Sequence, residues 1–228
     1  MWLYTILLLC SISVPMVLSF DRKLQFYKRW NYIFPSILII ATFYILADIY
    51  MTKLGVWGFN SRYHSNTLIA GLPIEEWFFF IVIPYACLFL HESLLFYFPD
   101  LKVSPVWSSI IVSFLISIAA VAILFNSDRI YTVYICSLVI IALLLTFFDK
   151  TNVINSYLIS FLLILIPFII VNAILTGSFI DQEVVWYNNQ ENLGIRVLTI
   201  PVEDFGYAFS MVLFNLLLIP QVKRFIKK

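Results

Sequence analysis

Four carboxylates stand at two matching places in this chain. Leu72-Pro73-Ile74-Glu75-Glu76-Trp77-Phe78-Phe79-Phe80 sets two acids at the mouth of an apolar, aromatic segment. Ile200-Pro201-Val202-Glu203-Asp204-Phe205-Gly206-Tyr207 repeats the order of types: aliphatic, proline, aliphatic, Glu, acid, aromatic. Proline suits the first helical position and acids suit the positive end of a helix dipole, so one such start is an ordinary helix end at an interface. Two in so apolar a chain point to function, because charge in a membrane is costly and is kept where it works. The chemistry open to this set is proton transfer. An apolar chamber favours the neutral carboxyl and the dipole favours the charged one, and acids in unlike surroundings divide into proton donor and proton acceptor. Successive helical positions point about 100° apart. At most one acid of each pair therefore faces a given point squarely, and its neighbour orients it.

The elements that must position these acids are membrane helices. The 228 residues are 62% hydrophobic, 18% aromatic and 12% charged, against roughly 25% charged in a soluble domain. Apolar windows of about 20 residues, enough to cross a hydrocarbon core, fall near 2–20, 32–50, 73–98, 105–125, 130–148, 156–176 and 197–219. Interior Pro84 and Pro167 kink the third and sixth, and the other prolines mostly mark ends. Met1-Trp2-Leu3-Tyr4 lacks the positive charge of a signal peptide and reads as the start of the first span. Cys10, Cys87 and Cys136 lie in apolar runs with no CxxC spacing, as packing residues do. A net charge of +1 without a basic patch argues against nucleic acid as a partner.

With seven spans, one side carries Arg22, Lys23, Lys28, Arg29, Lys102, Lys150, Lys223, Arg224, Lys227 and Lys228, and the other carries Lys53, Arg62, Arg129 and Arg196. Ten against four puts the first set and the C-terminus in the cytoplasm, the N-terminus outside, and both acidic motifs at the outer ends of their helices. The repeat also extends beyond the motif. Phe59-Asn60 stands fourteen and thirteen residues before Pro73, and Tyr187-Asn188 stands fourteen and thirteen before Pro201. The architecture is therefore all-α: a first repeat over 1–98, a linking helix over 105–125 and a second repeat over 130–220, the two repeats running parallel.

Asp48 near the end of the second helix and Asn172 near the end of the sixth occupy comparable places and join the candidate site through a buried hydrogen-bond network. Asn60 and Asn188 read as turn residues on the approach to it. The aromatics beside the acids, Trp77, Phe79, Phe205 and Tyr207, offer faces that attract a cation. His91 and Glu92 lie about 25 Å along the helix from Glu75 and cannot serve the same centre. No GxGxxG after a strand, no GKS or GKT, no HExxH and no aspartate-rich diphosphate motif occurs. Acid and base catalysis on a lipid-soluble alkene fits what is left.

The paired motifs Pro73-Ile74-Glu75-Glu76 and Pro201-Val202-Glu203-Asp204, with Gly55-Val56-Trp57-Gly58-Phe59-Asn60 before the first and Trp186-Tyr187 before the second, resemble the membrane-embedded, flavin-independent lycopene cyclases. The resemblance covers both repeats and is to the fused, single-chain form. Asn172 in place of a second Asp48 leaves the halves chemically unequal. The resemblance implies cyclisation of the linear ψ-ends of lycopene to β-ionone rings, with no cofactor and no metal. It implies a multi-pass protein of the cell membrane, with lycopene or a related carotenoid as partner and other carotenoid-biosynthesis enzymes as neighbours. It gives Glu75 and Glu203 as the leading acid/base pair, with Glu76 and Asp204 as alternates or orienting groups. Which acid donates and which accepts stays open. Also open are a cyclase of longer or modified carotenoids and a non-catalytic seven-helix transporter or carotenoid-binding protein; a retinal-type photoreceptor is disfavoured because the seventh helix, as drawn, has no lysine for a Schiff base.

Overall fold

The computed structural model describes residues 2–226; Met1, at the start of the first expected span, and Lys227 and Lys228 of the charge count lie outside the described residues. The described residues form seven α-helices: α1 Leu3–Leu18, α2 Trp30–Lys53, α3 Ile74–Tyr97, α4 Pro105–Phe125, α5 Ile130–Thr146, α6 Val153–Leu175 and α7 Val202–Ile226. Five are long and apolar enough to cross a membrane, α2 together with the 3₁₀ turn Phe26–Arg29 that leads into it. The other two, α1 and α5, are apolar but have only 16 and 17 residues. Large apolar side chains stay exposed around the outside, Leu124 at 76% and Phe125 at 82% among them. A lipid environment accounts for such a surface, since water does not.

Six short strands join the helices where the sequence suggested loops: β1 Trp57–Phe59, β2 Leu68–Ile69, β3 Leu72–Pro73, β4 Val185–Tyr187, β5 Arg196–Val197 and β6 Ile200–Pro201. β2 and β3 form a hairpin directly before α3, and β5 and β6 form one directly before α7. The second hairpin corrects the expected span at 197–219, because its backbone is paired up to Pro201 and the helix starts only at Val202. Three further prolines, Pro15, Pro35 and Pro220, lie inside helices and not at ends as expected. Membrane helices accept them where neighbours satisfy the freed carbonyls.

Contacts recur in the two halves. α1 packs on α3 as α5 packs on α7, and α2 packs on α7 as α6 packs on α3. Tyr4 N donates to Tyr63 O at 3.1 Å, and Tyr131 N donates to Glu191 O at 2.9 Å. Val56 N donates to Met51 O at 3.1 Å, and Val184 N donates to Leu175 O at 2.8 Å. Counted back three residues from these acceptors, Asp48 and Asn172 are structural counterparts. β1 and β4 then pair with each other antiparallel, with Gly58 opposite Trp186 at the centre. This ribbon packs in one buried cluster with Tyr4 of α1, Met51 of α2, Tyr131 of α5 and Leu175 of α6. Gly206 lets α7 approach α5 closely, since a Cβ there would lie 2.8 Å from Ile135 Cγ2. α4 buries only Ser108, Val112 and Ala119 and lies at the edge.

Candidate active site

The two acids of each motif go different ways. Glu76 (7% exposed) and Asp204 (5%) turn into the bundle onto one cavity of about 70 Å³, where Asp48 (2%) meets them. Glu75 and Glu203 are also buried but lie outside that cavity. Glu75 accepts from Ser65 N at 2.7 Å, Ser65 Oγ at 3.1 Å and Thr5 Oγ1 at 3.0 Å. Glu203 accepts from Leu193 N and Thr132 Oγ1, both at 2.7 Å. Each thus fastens the loop before its hairpin, and the first helix of its half, to the helix that it starts. Neighbouring helical positions diverge by about 100°, so the second acid must face elsewhere once the first is held.

The cavity has matching but unequal halves. Tyr4 Oη donates to Glu76 Oε2, and Tyr131 Oη donates to Asp204 Oδ1. Asp204 has a second hydroxyl, Tyr187 Oη at 3.0 Å to Oδ2. Burial first, and the Asp204 charge second, push the Tyr187 phenol well above its ordinary value, so it stays a donor. In the first half Phe59 stands at the position of Tyr187 and has no hydroxyl to give. Glu76 instead shares the cavity wall with Asp48. Asp48 Oδ1 accepts from Trp57 Nε1 at 2.5 Å and Thr52 Oγ1 at 3.3 Å, while its Oδ2 is buried without a donor. Asn172, also on the cavity, ties its amide back to Phe168 O at 3.0 Å.

The aromatics divide as the acids do. Phe79 and Tyr207 line the cavity, while Trp77 and Phe205 do not. Trp77 Nε1 donates to Ile69 O at 3.2 Å in the β2–β3 hairpin, and Phe205 packs edge-on to Phe168 at 5.0 Å. Trp57, Tyr131 and Tyr187 add a packed wall, with Tyr131 and Tyr187 stacked at 5.7 Å and Trp57 edge-on to Tyr131 at 5.1 Å. Asn60 and Asn188 stay off the cavity as turn residues. Their side-chain oxygens accept from Arg62 N at 3.0 Å and Gln190 N at 3.1 Å, two residues on in each case. His91 hydrogen-bonds Ser160 at 2.6 Å and Glu92 pairs with Arg29, both away from the cavity. Sequence reasoning passed over Tyr4 and Tyr131. Their signal was Tyr4-Thr5 and Tyr131-Thr132, the same dipeptide opening both halves.

Buried carboxyls held by tyrosines in an aromatic cavity, within a bundle of apolar helices, define a membrane protein equipped for acid–base chemistry. The lycopene cyclase family model matches residues 1–94 and residues 128–221, most of the chain and both acidic motifs. The chain belongs to the lycopene cyclase family. That makes it a membrane enzyme of carotenoid cyclisation, as the motifs led us to expect. No curated protein and no solved structure gives a match.

Proposed function

We propose that the chain converts the linear ψ-ends of lycopene to β-ionone rings by carboxyl catalysis, with no net oxidation or reduction. The observation that supports this most is the inequality of the two acid clusters on one cavity. Asp48 and Glu76 line the same cavity, and one proton shared between them supplies the donor that Asp48 Oδ2 lacks. Asp204, held by two phenols, is suited to the carboxylate form. In this reading the Asp48/Glu76 pair gives its proton to the terminal double bond of the substrate. The resulting tertiary cation takes the electron pair of the neighbouring ring-forming double bond, which closes the ring and moves the positive charge into it. Asp204 then removes a ring proton, and the electrons of that C–H bond form the ring double bond. One proton enters and one leaves, so product and substrate are isomers. The faces of Trp57, Phe79 and Tyr207 stabilise the cation, and the apolar surroundings keep water from it.

This ordering reverses the rank that the motif gave its acids. Glu76 and Asp204 become the reacting groups with Asp48, and Glu75 and Glu203 become positioning residues. The reading also takes all seven helices as spans in two parallel repeats joined by α4, with the N-terminus outside and the C-terminus cytoplasmic. The test is pigment analysis of lycopene-accumulating cells. Glu76→Gln and Asp204→Asn each cost about 10²- to 10⁴-fold in turnover and leave lycopene, whereas Glu75→Gln and Glu203→Gln retain cyclisation in the protein that reaches the membrane. Half activity in each of the first two variants, with loss only on combining them, refutes a single composite site. Wild-type cells that keep all their lycopene refute the reading as a whole.

A further inference from the structure

The acid cavity is too small for its task by itself. About 70 Å³ is less than half of the roughly 150 Å³ of an engineered apolar cavity that holds benzene, and a cyclising end group is larger than benzene. A second hollow of about 380 Å³ adjoins it and shares Ile83, Phe168, Asn172, Ala208 and Met211 with it. This groove runs between α1 and α6 over α3 and α7, and its walls are almost wholly apolar. Val14 and Ile170 on its rim are 60% and 59% exposed on the lipid-facing surface. It therefore leads from the bilayer side of the bundle to the acids.

The matching hollow in the other half, also about 380 Å³ and lined by Ile40, Phe43, Phe214, Leu217 and Leu218 among others, shares no residue with the acid cavity, and the way between the two is filled. Counterparts of the groove residues follow from the paired hydrogen bonds of the fold: Phe80 for Ala208, Tyr44 for Phe168, and Leu138 for Ser11. Phe80 is 1% exposed and Tyr44 3%, their rings 6.3 Å apart, and Leu138 and Tyr207 pack on the same cluster. Tyr44 is further pinned by Ser210 Oγ at 2.9 Å. Larger side chains thus fill the acid-cavity end of the space between α2, α5 and α7, where Ala208 and Ser11 leave the passage open between α1, α6 and α3.

We infer that the α1–α6 groove is the single lateral mouth of the site and holds the linear polyene chain of the substrate while one end group lies among the acids. This rests on the cyclase reading for the identity of the occupant. Two measurements test it. Cys10 is exposed and lines the groove, whereas Cys136 lies on α5 away from it. Saturating lycopene should slow labelling of Cys10 by a lipid-soluble maleimide several-fold in the reconstituted wild-type protein and leave Cys136 unchanged, as read by peptide mass spectrometry. Ala208→Phe, which copies the plug of the closed side, should lower lycopene turnover by more than about tenfold. Equal labelling of Cys10 with and without lycopene overturns the inference, and so does wild-type turnover by Ala208→Phe. The readouts separate the two claims. Protection of Cys10 without any cyclic product leaves the groove standing and removes the cyclase reading, while product without protection does the reverse.

Discussion

Gly58 and Trp186 are counterparts in the two halves, and they pack on each other. They stand opposite at the centre of the β1–β4 ribbon, and a Cβ on Gly58 would lie 2.4 Å from Cζ2 of the Trp186 ring. A local two-fold axis through the ribbon would place identical residues there. One indole fits over one glycine, while two indoles would not fit. Gly58→Ala is therefore expected to displace the ring and lower thermal stability by about 1–3 kcal/mol, with Trp186→Ala restoring part of the loss in the double variant. Thermal unfolding in detergent, followed by tryptophan fluorescence, gives both numbers.

Glu75 and Glu203 act as anchors, so their loss should appear in folding before it appears in chemistry. Glu75→Ala leaves Ser65 N and Thr5 without an acceptor, and Glu203→Ala does the same to Leu193 N and Thr132. Each should lower stability by about 1–3 kcal/mol. Thr5→Val and Thr132→Val remove one donor apiece and should cost about 0.5–1.5 kcal/mol. Equal effects in the two halves are expected, as a thermal-shift series would read.

The hairpin turns hold left-handed residues that glycine would suit better. Ala70 has φ +54° and its counterpart Leu198 has φ +58°. A side chain there costs roughly 1–2 kcal/mol, partly offset by the extra freedom that glycine gives the unfolded chain. Leu198→Gly, at a side chain 64% exposed, is expected to raise the melting temperature slightly, by about 0.5–1 kcal/mol in stability.

Orientation rests on the ten-to-four bias in Lys and Arg between the two sides. Reporter fusions at the C-terminus should read cytoplasmic, and fusions within 178–195 should read external. The opposite result would place the β1–β4 ribbon and the acids at the cytoplasmic face.

Catalysis that moves only protons calls for no electron carrier. Purified protein is expected to cyclise lycopene in liposomes with no added nucleotide, flavin or metal, and at the same rate after treatment with a chelator. A strict requirement for reduced flavin would mean that acids alone do not drive the reaction.

Helices were legible because each is a long apolar run bounded by charge or proline, and six of the seven begin within a few residues of the expected place. The strands were not. β1 has three residues, and its partner lies beyond four helices, so no local pattern announces the pair. Among the acids, the doubled motif showed where to look but not which member to choose. That choice depends on which side of α3 meets α1 and which side of α7 meets α5, hence on Tyr4, Thr5, Tyr131 and Thr132. Asp48 and Asn172 were found from their places at helix ends. Their difference in chemistry took meaning only once Glu76 and Asp204 stood beside them.

A plug of Phe80 and Tyr44 on one side and an opening at Ala208 on the other also bear on order in time. With lycopene as the proposed substrate and the groove as its proposed door, a blind chamber treats only one of the two ends per visit. To close both rings, the molecule has to back out after the first, turn end for end in the bilayer and return. On that reading the one-ringed product is a free passenger of the membrane between visits, and its abundance is set by how often it comes back compared with how often a fresh lycopene arrives first.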